Sequence, residues 1–185
     1  MKQARFGLLL FLFLLIPPVA HLLESIMIIH MHMQMPLLVI AGFLMAPFFQ
    51  KRFPRLFENW NHAGIPGILL VTIVWLYWMI PRTMDDALTV QSVEAFKFFS
   101  LPFLVGVPLR DSWKKIGLTV KKIIFIGFTI LFFGMGILYI KVPVQLCNNY
   151  LLIEQITLGW GFVTMAICIV IYLWYFVFMD HSKYE

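Results

Sequence analysis

Residues 30–36 read HMHMQMP: two imidazoles, three thioethers and one carboxamide in an otherwise apolar stretch. Thioether sulfur and imidazole nitrogen together select soft copper, Cu(I) in particular, over magnesium or calcium, which take oxygen ligands. Methionine is also an ordinary filler of irregular apolar gaps, so the methionines alone carry little. Two histidines within three residues make the run a candidate metal site. On a regular helix, at about 100° per residue, Met27, Met31, Gln34 and Met45 share one stripe, with Glu24 and Met35 beside it. His30 borders that stripe, while His32 aligns with His21 on its far edge. His30 and His32 are then about 200° apart, so one regular helix cannot aim both at one ion. Pro36 can loosen the turn, because it forfeits the bond to residue 32 and collides there. The expected ligands are His30 and His32, with Met31 and Met35 as thioether donors and Met27 and His21 as second choices.

Other chemistries fit less well. No Gly-x-Ser-x-Gly elbow, phosphate loop or HExxH is present, and the chain is not expected to be an enzyme. Cys147 and Cys168 fit neither a zinc finger nor a CxxC motif; Cys147 reads as a third soft ligand or a plain loop cysteine, Cys168 as packing. A bis-histidine haem needs histidines on facing helices. The later apolar blocks hold none, and His62 and His181 fall between or after them. A haem shared across a dimer, or with a methionine axial ligand, stays open.

The elements that must position these groups are membrane helices. The 185 residues are 62% hydrophobic and 12% charged, with mean hydropathy +0.90, a balance that points to lipid as the solvent. The expected fold is all-α: a polytopic membrane bundle of about six transmembrane helices forming one domain, 1–185, in the cell (plasma) membrane. Apolar blocks cover 6–49, 64–81, 88–109, 122–142 and 152–179. The first is too long for one span, which takes about 20 residues, and makes two. Its turn is placed at IPPVAHLLES (16–25), with HMHMQMP itself as the rival. The N-terminus resembles a signal peptide, but no small-x-small site follows, and a retained first span is expected.

Basic residues set the orientation. Lys2 and Arg5 precede the first span, and Lys51, Arg52 and Arg55 follow the second. Arg110, Lys114, Lys115, Lys121 and Lys122 separate the fourth and fifth, and Lys183 follows the sixth. With both termini inside, every cluster falls inside. The net charge of +5 is thus topological, and no nucleic-acid motif accompanies it.

Polar groups in lipid are costly and are functional candidates by default. His21, Glu24, His30, His32, Gln34, Gln91, Glu94, Lys97, Glu154 and Gln155 all fall in or at the edge of the outer half, and the inner half carries almost none. Glu94 and Lys97, one turn apart, suit a mutual ion pair; alternatively Glu94 tunes a ligand or a proton from behind. Glu154 and Gln155 open the last span, where Gln155, Gly159 and Phe162 share a face and the glycine permits close packing. Trp75, Tyr77, Trp78 and Tyr150 read as an aromatic belt at the outer interface.

Three segments carry a family resemblance. HMHMQMPLLVIAG, WMIPRTMDDAL…VGVPLRDSW and LLIEQITLGWG, within roughly residues 21–175, resemble the CtaG-type integral membrane proteins linked to copper-centre assembly in cytochrome c oxidase. The chain departs from that pattern. It has six expected spans rather than about seven and a different histidine spacing. It has Glu-Gln where the family tends to have Asp-Gln, and no histidine after the aspartate motif, where Glu94 or Lys97 stands nearby. It is also similar in size to small archaeal-type membrane proteins. The resemblance implies a copper role for His30 and His32 and a partner that is a membrane oxidase subunit or another copper protein. The alternatives are a non-catalytic subunit of a respiratory or monooxygenase complex, and a b-haem electron carrier.

Overall fold

The computed structural model describes residues 2–178, a set of helices joined by short turns and loops with no strand among them. His181 and Lys183, and the C-terminal side of the expected topology, lie outside the described residues. The helices are α1 (Lys2–Leu15), α2 (Pro17–Glu24), α3 (Met27–Arg52), α4 (Pro54–Trp60), α5 (Ile65–Met79), α6 (Pro81–Thr89), α7 (Gln91–Lys115), α8 (Leu118–Lys141) and α9 (Leu152–Phe178).

Proline sets several boundaries. It opens α2, α4 and α6, where its missing N–H costs nothing and its fixed φ suits a first helical turn. Ile16 and Ile80, each just before a proline, are extended, as the ring of the following residue demands. Gly64, at φ 76°, turns the chain between α4 and α5 in the left-handed region, which glycine enters without steric cost.

Contacts fix the direction of each rod. Lys97, early in α7, pairs with Glu24, just before α3; at the other end Gln50 donates to Asp111 Oδ1 at 2.9 Å. So α3 and α7 run parallel. α1 opposes them, with Arg110 donating to Gln3 at 2.9 Å and Phe11 edge-on to Phe103 at 5.6 Å. α5 leaves from Asn61, which bonds Asp111, and brings Trp78 Nε1 to Ser100 Oγ at 2.9 Å. α8 starts beside Trp113 and ends where Gln155 reaches the Tyr139 carbonyl; α9 returns to place Tyr172 against Phe125. The rods α1, α3, α5, α7, α8 and α9 thus alternate between a Glu24 end and an Asp111 end.

α3, α7, α8 and α9 are each long and apolar enough to cross a membrane. The pairs α1 with α2, bent by 74°, and α4 with α5, bent by 88°, raise the number to six if each pair is one span. The first apolar block breaks at 16–25, as expected, but as a helix set at an angle rather than as a loop.

Two π-helical turns interrupt the long rods, at His30–Gln34 in α3 and Leu101–Gly106 in α7. In the first, Met35 N–H bonds the His30 carbonyl, five residues back, in the turn that precedes Pro36. The wider turn accommodates a proline that cannot bond residue 32. α3 and α7 meet backbone to backbone through glycine. A Cβ at Gly42 would stand 1.9 Å from the Pro102 carbonyl oxygen, and one at Gly106 would stand 2.3 Å from that of Val39. Gly134 in α8 has open space instead. Gly42→Ala is therefore expected to cost at least the about 1–3 kcal/mol of core overpacking. Gly134→Ala should be neutral or stabilising by up to about 1 kcal/mol. Thermal melts of the purified variants compare the two; equal shifts would contradict the close approach.

Candidate functional site

At the Glu24 end, groups from four segments meet in the core. The π turn buries His30, Met31 and Gln34 completely or nearly so; Met27 and Met35 are buried beside them, while Met33 is half-exposed. The methionine stripe expected from helical spacing is thus the buried face of α3.

Gln34 Nε2 donates to Glu24 Oε1 at 2.9 Å, and the same oxygen accepts from Lys97 Nζ. Lys97 has no exposed surface and Glu24 has 8%. Isolated, either charge would be prohibitively costly there; the pair, with the carboxamide as a further donor, makes both tolerable. This corrects the local pairing of Lys97 with Glu94. Glu94 is partly buried on α7 and acts on Lys97 only as a nearby charge; the direct partner comes from α2.

His30 Nδ1 lies 2.9 Å from the Tyr150 hydroxyl, which donates to the Glu24 backbone carbonyl at 2.7 Å. The carbonyl can only accept, so the phenol's single proton is committed to it, and the hydrogen between ring and phenol must be on Nδ1. Nε2 then carries the imidazole lone pair, and that atom is buried with no hydrogen-bond partner. Tyr150 is 6% exposed. Burial first, then the Glu24 carboxylate, pushes its phenol up from the usual tyrosine range, so it stays protonated as the relay requires. Tyr150 and Trp78 are therefore interior hydrogen-bonding groups, not members of an aromatic belt.

His32 does not join His30. Its ring packs on Phe162 at 4.8 Å, over the space left by Gly161. His21 is exposed on α2, beyond the Ser25–Ile26 break. The alignment of His21 with His32 assumed an unbroken helix, which the break removes.

The loop after α8 carries Tyr150 and is held on both sides. Gln155 accepts from Leu146 N–H at 2.8 Å and donates to the Tyr139 and Val144 carbonyls, while Gly159 closes on Gly136. Glu154 accepts from Leu151 N–H at 2.9 Å, reaching back from the third helical position as in a capping box. Both residues thus serve the loop and the start of α9. Asp85 on α6 receives Asn148 and Asn149 at 2.7–3.1 Å. Cys147 is buried, with its thiol 3.6 Å from the Pro81 carbonyl. Burial and the Asp85 carboxylate raise that thiol to about 12, which keeps it protonated and a poor ligand at neutral pH.

The Asp111 end has a second polar cluster, which the reading of an inner half almost free of polar groups missed. Asn61, fully buried, donates to Asp111 Oδ2 at 2.6 Å and Ser112 Oγ at 2.9 Å, and accepts from Gly67 N–H. Lys115 donates to Asp111, to the Asn61 carbonyl and to the Phe57 carbonyl. Every side chain here has partners, which makes the cluster a clasp between α4, α5 and α7.

Among the described residues no three of His, Cys, Asp and Glu gather closely enough to hold a metal ion. The candidate donor at the Glu24 end is instead the unpartnered Nε2 of His30, on a helix that also buries Met27, Met31 and Met35. No family model matches this chain, nor does any curated protein or solved structure.

Proposed function

We propose that the chain is a six-span membrane protein, both termini inside, that carries Cu(I) as cargo near its outer face and hands it to a copper-containing oxidase subunit or another copper protein. The observation that carries this reading is the buried, unpartnered Nε2 of His30, its tautomer set through Tyr150, on a helix whose buried residues also include Met27, Met31 and Met35. Metal-binding histidines characteristically spend their other N–H on an outer hydrogen bond of this kind. The methionines supply soft donors that suit Cu(I). Glu24 is spent on Lys97 and Gln34 and is not available as a hard ligand. The alternating rods and the basic residues at the Asp111 end support the orientation. The resemblance to CtaG-type proteins points to the same class of cargo and partner.

In this account His30 is the imidazole ligand, Met31 is its nearest thioether in sequence, and Met27 and Met35 complete the soft wall. A thioether carries no ionisable proton, so ligand exchange there can pass Cu(I), with its charge, to a partner's ligands with no proton taken up or released at the sulfur. Titrating the purified protein with Cu(I) against a chromogenic Cu(I) chelator should show about one ion retained, displaced by Ag(I) and not by Zn(II). Failure to retain Cu(I), or displacement by Zn(II), would contradict the reading.

A second reading has its own observation. Glu24, Lys97 and Gln34 tie α2, α3 and α7 together through the one Glu24 oxygen, as expected of an inter-helix lock in a non-catalytic subunit of a larger complex. Purification in a stoichiometric complex with no copper in this chain would favour it.

A further inference from the structure

The Asp111 end carries a feature the copper reading does not use. α4 is set at 88° to α5 and buries none of its residues. At about 100° per residue, Leu56, Phe57 and Trp60 fall on one side of this short helix, with Phe53 beside them, and Arg55, Glu58 and Asn59 fall on the other. Leu56 is 60% exposed, Phe53 49% and Trp60 42%. Lys51, Arg52 and Arg55 are also exposed, against one acid, Glu58, in the same segment. The clasp makes the shelf rigid: Asn61 ties its end to Asp111, Ser112 and Gly67, and Lys115 bonds the Phe57 and Asn61 carbonyls. A helix lying across the bundle axis, apolar on one side and polar on the other, with the basic end of α3 (Lys51, Arg52) leading into it, has the form of an interfacial element. Lys51, Arg52 and Arg55, joined at this end by Lys114 and Lys121, are complementary to headgroup phosphates.

We propose that α4 with Lys51, Arg52 and Arg55 is a docking shelf for anionic phospholipid, its apolar side among acyl chains and its cations on headgroup phosphates. This rests on the membrane reading but not on copper. The test uses the full-length protein reconstituted in nanodiscs of mixed phosphatidylglycerol and phosphatidylcholine, then extracted into mild detergent for counting of bound lipid. Wild type should retain phosphatidylglycerol over phosphatidylcholine, and K51Q/R52Q/R55Q should retain at least about threefold less, with Cu(I) stoichiometry unchanged. L56S/W60S should lower total bound lipid without changing the preference for phosphatidylglycerol. An unchanged lipid count in the triple variant overturns the shelf, as does loss of a co-purifying protein with the lipid count intact. Resistance to alkaline extraction from native membranes is scored separately, so failure of the membrane reading is distinguishable from failure of the shelf.

Discussion

Replacing Lys97 alone by methionine is expected to lower stability by about 3–5 kcal/mol, the cost of leaving one buried charge without its partner. Glu24 would then keep only the Gln34 carboxamide against its carboxylate, in a site with almost no exposed surface. Changing both partners, Glu24→Gln with Lys97→Met, removes the charges together and should recover most of that loss. A double-mutant cycle on thermal unfolding in detergent reads the coupling directly. The same cycle with Glu94→Gln in place of Glu24→Gln should show little coupling, because Glu94 makes no direct bond to Lys97. Strong coupling to Glu94 and none to Glu24 would mean that the local pair, one turn apart on α7, is the real one.

Tyr150→Phe is the second large effect. The change removes one oxygen, and with it the partner of His30 Nδ1–H and of the Glu24 carbonyl. Two buried polar groups are left unpaired, at about 1–3 kcal/mol each, and nothing then holds the proton on Nδ1. The loss of such an outer hydrogen bond typically costs 10–100-fold in metal affinity, and Cu(I) affinity should fall by about that factor. Tyr139→Phe is the matching control: Tyr139 is also buried, but its hydroxyl lacks a partner, so its removal should leave both stability and copper affinity close to wild type. Equal effects of the two changes would show that Tyr150 contributes packing only.

Much of the fold was legible in the chain, for physical reasons. Long apolar blocks broken by proline and by charge clusters can only be helices with turns between them, and the first block split where 16–25 places its two prolines. The stripe of Met27, Met31, Gln34 and Met45, with Met35 beside it, could be read because helical spacing survives a single π turn. Long-range partners could not be read. Glu24 lies 73 positions from Lys97 and Tyr150 lies 120 from His30, whereas Glu94 was one turn away and won on proximity alone. Tyr150 and Trp78 have the composition of belt residues; only the packing shows that their polar atoms point inward. The clasp of Asn61, Asp111 and Ser112 joins residues about 50 positions apart, each of which reads as an ordinary loop or helix-end residue. One signal was present: Asp111 and Lys115 stand four apart on one helix face, and Lys115 does bond Asp111 at 2.7 Å. The break at Ser25–Ile26 has no proline or glycine to announce it, which is why His21 was carried along the same helix as His32.

In the copper reading we propose, one imidazole, His30 through Nε2, anchors the ion, and His32 does not. Cu(I) stoichiometry of the purified protein, measured by chelator competition for wild type, His30→Ala and His32→Ala, tests it most directly. About one ion is expected for wild type and for His32→Ala, and none held against the chelator by His30→Ala at unchanged helical content. Full binding by a folded His30→Ala would contradict it.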